Sequence, residues 1–122
     1  MSRYNPDRDQ AAEDWLALDE QERIMLVAQY HRKQRTELPN ETLHAVMHVV
    51  VENQLAMCEP VVVEVFTRLR AEGLDRHDAI HAIGSVLAEQ MHSALQGRGE
   101  GEPNDAYLAG LRKLTARKWL AG

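Results

Sequence analysis

Helix start and stop signals punctuate this chain throughout, and they leave little room for anything but helices. Asp19-Glu20-Gln21-Glu22 matches a capping box, in which the Asp side chain accepts from a first-turn N–H and the Glu reaches back. The helix it opens runs to about Lys33, with Ile24, Val27, Ala28 and His31 at i, i+3, i+4 and i+7. Its end is basic, with His31, Arg32, Lys33 and Arg35, which suits the negative end of the helix dipole; His31 reads as one of those terminal cations. Leu38-Pro39-Asn40 breaks the chain, and Asn40 caps a third helix from Glu41 to about Met57. Pro60 starts a fourth helix at the position where its missing N–H is not needed. Val61 to Phe66 alone has strand composition, but Leu69 and the Gly73 stop extend a helical pattern and no partner strand exists. Asp75, with Asp78 in place of the usual Glu, caps a long helix to about Leu95. Before the capping box, Pro6 to Asp9 opens a short first helix carrying Trp15, Leu16 and Leu18. After the loop 97–103, Asn104 caps a last helix through Trp119. The expected fold is all-α: a compact bundle of five or six helices, one domain over 1–122 with a short N-terminal arm at 1–8.

The bulk properties narrow the function. A chain of 122 residues, 44% hydrophobic and 27% charged, is large enough for one core. Its net charge of -5 argues against nucleic acid as a partner. The local basic group Arg112, Lys113, Arg117 and Lys118 reads as the solvated cationic end of the last helix. No apolar run approaches the ~20 residues of a membrane span, so no membrane is expected. The start, Met1 to Pro6, lacks a signal-peptide core, and Cys58 is the only cysteine, so the cytoplasm is the expected compartment. Cys58 itself reads as a small buried hydrophobe.

Five of the six histidines recur at helical spacing. His44, His48 and Glu52 follow one another every fourth residue on the third helix, and His77, His81 and then His92 lie along the fifth. Each such step turns a helix by roughly 400°, so the side chains stack on nearly one face. On the third helix this face adjoins an apolar stripe of Leu43, Val46, Val50 and Met57. On the fifth, the small Gly84 and Ser85 leave room for close approach or for an ion. Imidazoles and carboxylates converging from two helices are how a bundle builds a metal site. The candidate ligands are therefore His44, His48, Glu52, His77, His81 and His92, with Glu89 of the Glu-x-x-His pair added. Glu64, among valines, reads as a solvated residue. A histidine-rich set suits a transition metal (Zn, Fe, Ni or Cu) better than Mg or Ca.

His77-Asp78-Ala79-Ile80-His81 is similar to the zincin His-Glu-x-x-His helix, with Asp78 one methylene short and already placed to cap. More of the chain carries a second resemblance. Tyr4-Asn5-Pro6, the run from Trp15 to Glu20, the segment from Leu43 to Gln54 and the segment from Gly73 to Gly84 resemble a family of small bacterial domains, domain of unknown function 1841. The resemblance covers most of residues 4 to 95. It implies a bacterial cytoplasmic protein and brings no established activity, so no catalytic residue follows from it. Three readings stand: a metal-binding bundle; a non-enzymatic interaction module with a structural His/Glu core, in a homo-oligomer or with a protein partner; and a zinc hydrolase resting on Asp78. Whether the protein is an enzyme is left open.

Overall fold

The computed structural model describes residues 3–34, 40–97 and 103–121. The expected break at Leu38-Pro39, the chain start at Met1-Ser2 and the loop residues 98–102 lie outside them. Among the described residues seven helices follow in order: α1 (Ala12–Ala17), α2 (Glu20–Lys33), α3 (Glu41–Ala56), α4 (Pro60–Ala71), α5 (Arg76–Leu95), α6 (Pro103–Lys113) and α7 (Ala116–Leu120). No strand occurs among the described residues, and the fold is all-α. Helices α2 to α5 are those expected, α6 is the first part of the expected last helix, and α1 and α7 are short.

The caps explain most of the boundaries. Asp19 Oδ1 accepts from Glu22 N at 2.8 Å, Asn40 Oδ1 from Leu43 N at 2.9 Å and Asp75 Oδ1 from Asp78 N at 2.8 Å. Pro60 opens α4, and Gly73 turns the chain after it at a φ of 108°, which a side chain would resist. The valines of α4 are helical as expected, because Val62, Val65 and Leu69 bury one face.

Two boundaries differ from expectation. Residues 3–11 are not helical, and α1 begins only at Ala12. Asn5 Oδ1 accepts from Asp7 N at 3.0 Å, a local bond that competes with a helix. Arg76 then draws the arm onto the body by donating to Pro6 O at 2.9 Å and to Asp9 Oδ1 at 2.9 Å. The last helix is split in two. Thr115 caps α7 by accepting from Lys118 N at 3.1 Å, and Ala116 N donates to Glu72 Oε1 at 2.8 Å, which turns the chain toward the end of α4. Cys58 also departs from expectation. It is exposed, at a φ of 55°, where the chain leaves α3.

The apolar core is in two parts. Tyr4, Trp15, Leu26, Val27, Ala45 and Val49 join the arm, α1, α2 and one side of α3. Val51 on α3 begins the other part, with Val62, Leu69, Ile80, Ile83 and Leu111 from α4, α5 and α6. Helix α3 therefore runs between the two, packed on both sides. Its expected apolar stripe is not its most buried face: Leu43 and Met57 are exposed, while His48 and Glu52 are each only 1% exposed. Close helix approach also falls elsewhere than expected. A Cβ on Gly84 would sit an ordinary 3.9 Å from Met47 Cβ, whereas one on Gly110 would meet Val86 Cγ1 at 2.8 Å, so the tight contact is α5 against α6.

Candidate metal centre

At the seam between the two core parts, five imidazoles from three helices gather. Helix α3 supplies His44 and His48, and α5 supplies His77 and His81. The unexpected member is His31 from α2, only 3% exposed. Its ring packs edge-on against His44 and His48, with centroids 4.6 and 4.7 Å away. The clue to it lay in the apolar stripe: His31 is the i+7 member of Ile24, Val27 and Ala28, so it follows the buried face rather than the basic end.

His48 is the hub. Its Nε2 lies 2.9 Å from Nε2 of His81 and 3.1 Å from Nε2 of His44. Its Nδ1 lies 3.1 Å from the Tyr4 hydroxyl, and that hydroxyl donates to Glu52 Oε2 at 2.6 Å. Tyr4 has one proton, and it goes to the carboxylate. The proton between Tyr4 and His48 therefore belongs to His48 Nδ1, which donates to the phenolic oxygen, and His48 Nε2 is left with a lone pair. Arg76 fixes the far end of the relay, its Nη1 and Nη2 donating to Glu52 at 2.8 and 2.7 Å. His31 is set in the same sense: its Nδ1 faces Val27 O at 2.9 Å and must donate to it, and its buried Nε2 has no partner.

One ligand atom from each of His31, His44, His48 and His81 lies within 4.8 Å of all the others. A tetrahedral ion with Zn–N bonds of about 2.0–2.1 Å spans donors roughly 3.3 Å apart, so the four fit one ion with small ring movements. Burial disfavours the charged form of His44, His48 and His81. His44 is lowered from its usual 6.5 to about 4 by burial and then by His31 and His77. His81 is lowered to about 3 by burial and then by His77, His44 and His31. His48 is depressed further still, by burial first and then by the other four rings. The neutral ring is the form whose nitrogen can bind a metal.

The remaining sequence candidates fall into two groups. His77 stands against the cluster, its ring 4.2 Å from that of His81, but it is not among the four convergent residues, and its Nε2 is buried without a partner. Glu52 is buried one step behind the site, its oxygens taken by Arg76 and Tyr4. Glu89 and His92 are exposed and do not join the cluster. Glu64 is exposed, as expected. Asp78 is half-buried, and its carboxylate is not among the converging atoms. Tyr4, like His31, was missed: nothing in Tyr4-Asn5-Pro6 marks a side chain that reaches 44 residues along the chain.

These features define an all-α protein with four histidines placed closely enough to hold a metal ion. The chain belongs to the family described as domain of unknown function (DUF1841), which matches residues 11–113. No curated protein and no solved structure matches the chain.

Proposed function

We propose that the protein binds a transition metal ion through His31, His44, His48 and His81. One observation carries this reading. His48 Nε2 has two neighbouring imidazole nitrogens at hydrogen-bond distance but only a single lone pair to offer them. In any neutral tautomer one of the two contacts is unsatisfied, and the orphaned Nε2 of His31 adds another unspent lone pair. Buried nitrogens without partners are costly, and protonating these rings is costlier still. A cation between them satisfies all four.

Four imidazoles and no carboxylate favour Zn, Cu, Ni or Fe over Mg or Ca. Glu52, Tyr4 and Arg76 then act as the supporting shell. A carboxylate commonly orients a ligating histidine directly, and here Tyr4 stands between the two. The structural-core reading keeps this much support: the Glu52–Arg76 pair ties α3 to α5 and to the arm whether or not metal is present. A hydrolase built on Asp78 has no comparable support.

The test is metal content by elemental analysis of protein purified without a nickel column, with the melting temperature before and after metal addition. Stoichiometric metal and a raised melting temperature are expected, because an ion that binds the native state alone stabilises it. Both effects should vanish in the double variant His48→Ala/His81→Ala. Wild-type protein that takes up none of Zn, Fe, Cu and Ni and shows no thermal shift defeats the proposal.

A further inference from the structure

We infer that the metal centre opens into a ligand subsite for a small molecule with one Lewis-basic head and an apolar body. The inference rests on the metal-binding reading. A pocket of about 240 Å³ lies between α3 and α5. His44, His48 and His81 form part of its wall, and Met47, Ile80, Gly84, Ser85 and Ala88 form the rest. His31 is not in the wall, so the pocket reaches the cluster from one side, the side on which His44 and His81 are half-exposed.

The chemistry of the wall selects the ligand. Among the described residues it holds no Lys, Arg, Asp or Glu, so an ammonium finds no counter-charge and the one charge offered to a guest is the ion's own. Its one hydroxyl, on Ser85, gives its proton to Ala82 O at 2.7 Å and keeps only acceptor capacity. With the four histidine nitrogens on the ion, a basic head joins it as a fifth ligand from the pocket side. The size matters too. An engineered cavity of about 150 Å³ takes up benzene, so this pocket has room for an aromatic or short aliphatic body, more than a diatomic ligand needs. Space beside α5 is open at Gly84, where an added Cβ would meet only Met47 Cβ, at 3.9 Å. Head toward the nitrogens and body along Met47, Ile80 and Ala88 is the arrangement that buries the most apolar surface.

The experiment loads the protein with Co(II), whose visible bands report its coordination, and titrates it with 4-phenylimidazole and with imidazole. Cobalt content is measured after each titration. The phenyl compound should shift the bands and bind at least about tenfold more tightly than imidazole, the gain coming from its buried ring. Gly84→Leu fills the pocket and should keep stoichiometric cobalt but lose that preference. Ala88→Leu fills it from the next turn and serves if the first variant does not fold. Equal affinity for the two azoles, loss of cobalt to the azole, or a preference that survives a cobalt-replete filling variant overturns the subsite and leaves the metal centre standing. A wild-type protein that takes up neither cobalt nor any of Zn, Fe, Cu and Ni overturns both, and one that takes up zinc but not cobalt is read for the same preference by calorimetry of the zinc form.

Discussion

The two His-x-x-x-His pairs are alike in sequence and unlike in the folded protein. On α3, His48 is buried, its Nδ1 proton is fixed by Tyr4, and its Nε2 meets two other rings. On α5, His81 meets His48, but His77 in the first turn leaves its Nε2 buried and unpartnered. The i, i+4 step puts two side chains on one face and says nothing of what stands opposite that face. Opposite α3 stand α2, α5 and the arm, so both of its rings find neighbours. His31 from α2 takes the place that the spacing on α5 offers to His77. The α3 pair is therefore a tethered pair, and the α5 pair is half of one.

The tether breaks most severely at its root. Glu52→Ala leaves the Arg76 guanidinium buried and without its main partner, and removing one member of a buried ion pair costs about 3–5 kcal/mol. Urea unfolding of the metal-free variant measures this loss. A loss below about 1 kcal/mol would mean that the Glu52–Arg76 pair does not hold α3, α5 and the arm together.

A smaller change cuts the tether next to the site. Tyr4→Phe keeps the ring against Trp15 and Tyr30 but takes the acceptor from His48 Nδ1. Metal affinity should fall about 10–100-fold, the usual effect of losing a residue that orients a ligand. Competition with a chromophoric chelator reads it. Unchanged affinity would show that His48 needs no orientation from the arm. Residue 4 lies outside the stretch that the family matches, 11–113, so this support comes from beyond the matched segment.

What was legible in the sequence follows from how local each signal is. The caps at Asp19, Asn40 and Asp75 act within one turn of chain, and each stands where the residues place it. His44, His48 and His81 were legible because two helices repeat the same spacing. The rest depends on distant segments. Arg76 holds the arm against the body through a bond to Pro6 O, 70 residues away, and the helix expected from Pro6 begins only at Ala12. Glu52 has ligand spacing, yet Arg76 claims its carboxylate, and only the packing of α5 on α3 brings Arg76 there. His31 sits on both a buried stripe and a basic helix end. Those signals conflict, and tertiary packing decides for the stripe.

Acid should unbalance both pairs in the metal-free protein. The folded-state values of His44, about 4, and His81, about 3, lie below the 6.5 of a free imidazole, because burial disfavours the charged ring. As pH falls below 6.5 the unfolded chain takes up protons before the native one does. The native state is therefore favoured in full above that value, and the advantage is lost progressively down to about pH 3. The denaturation midpoint should drop between pH 7 and pH 5. A flat midpoint over that interval would place these rings in water rather than in the seam.

The smallest effect bears most directly on the untethered half. The i, i+4 spacing makes His77 a ligand, whereas the fold leaves it outside the four converging residues. His77→Phe keeps a ring beside His81 and Tyr30 and removes the orphaned Nε2. Deleting an unsatisfied buried nitrogen removes its desolvation penalty, so stability should be unchanged or rise by up to about 1 kcal/mol. Metal affinity should stay within about threefold of wild type, far from the 10–100-fold expected when a ligand's support is lost. The two readouts separate the alternatives. If His77 rotates into the site and binds the ion, the variant loses affinity while its metal-free stability holds. If the ring only packs, neither quantity moves much. A loss of affinity beyond tenfold, matching or exceeding that of Tyr4→Phe, would restore the symmetry of the two pairs and replace the four-histidine site with one of five.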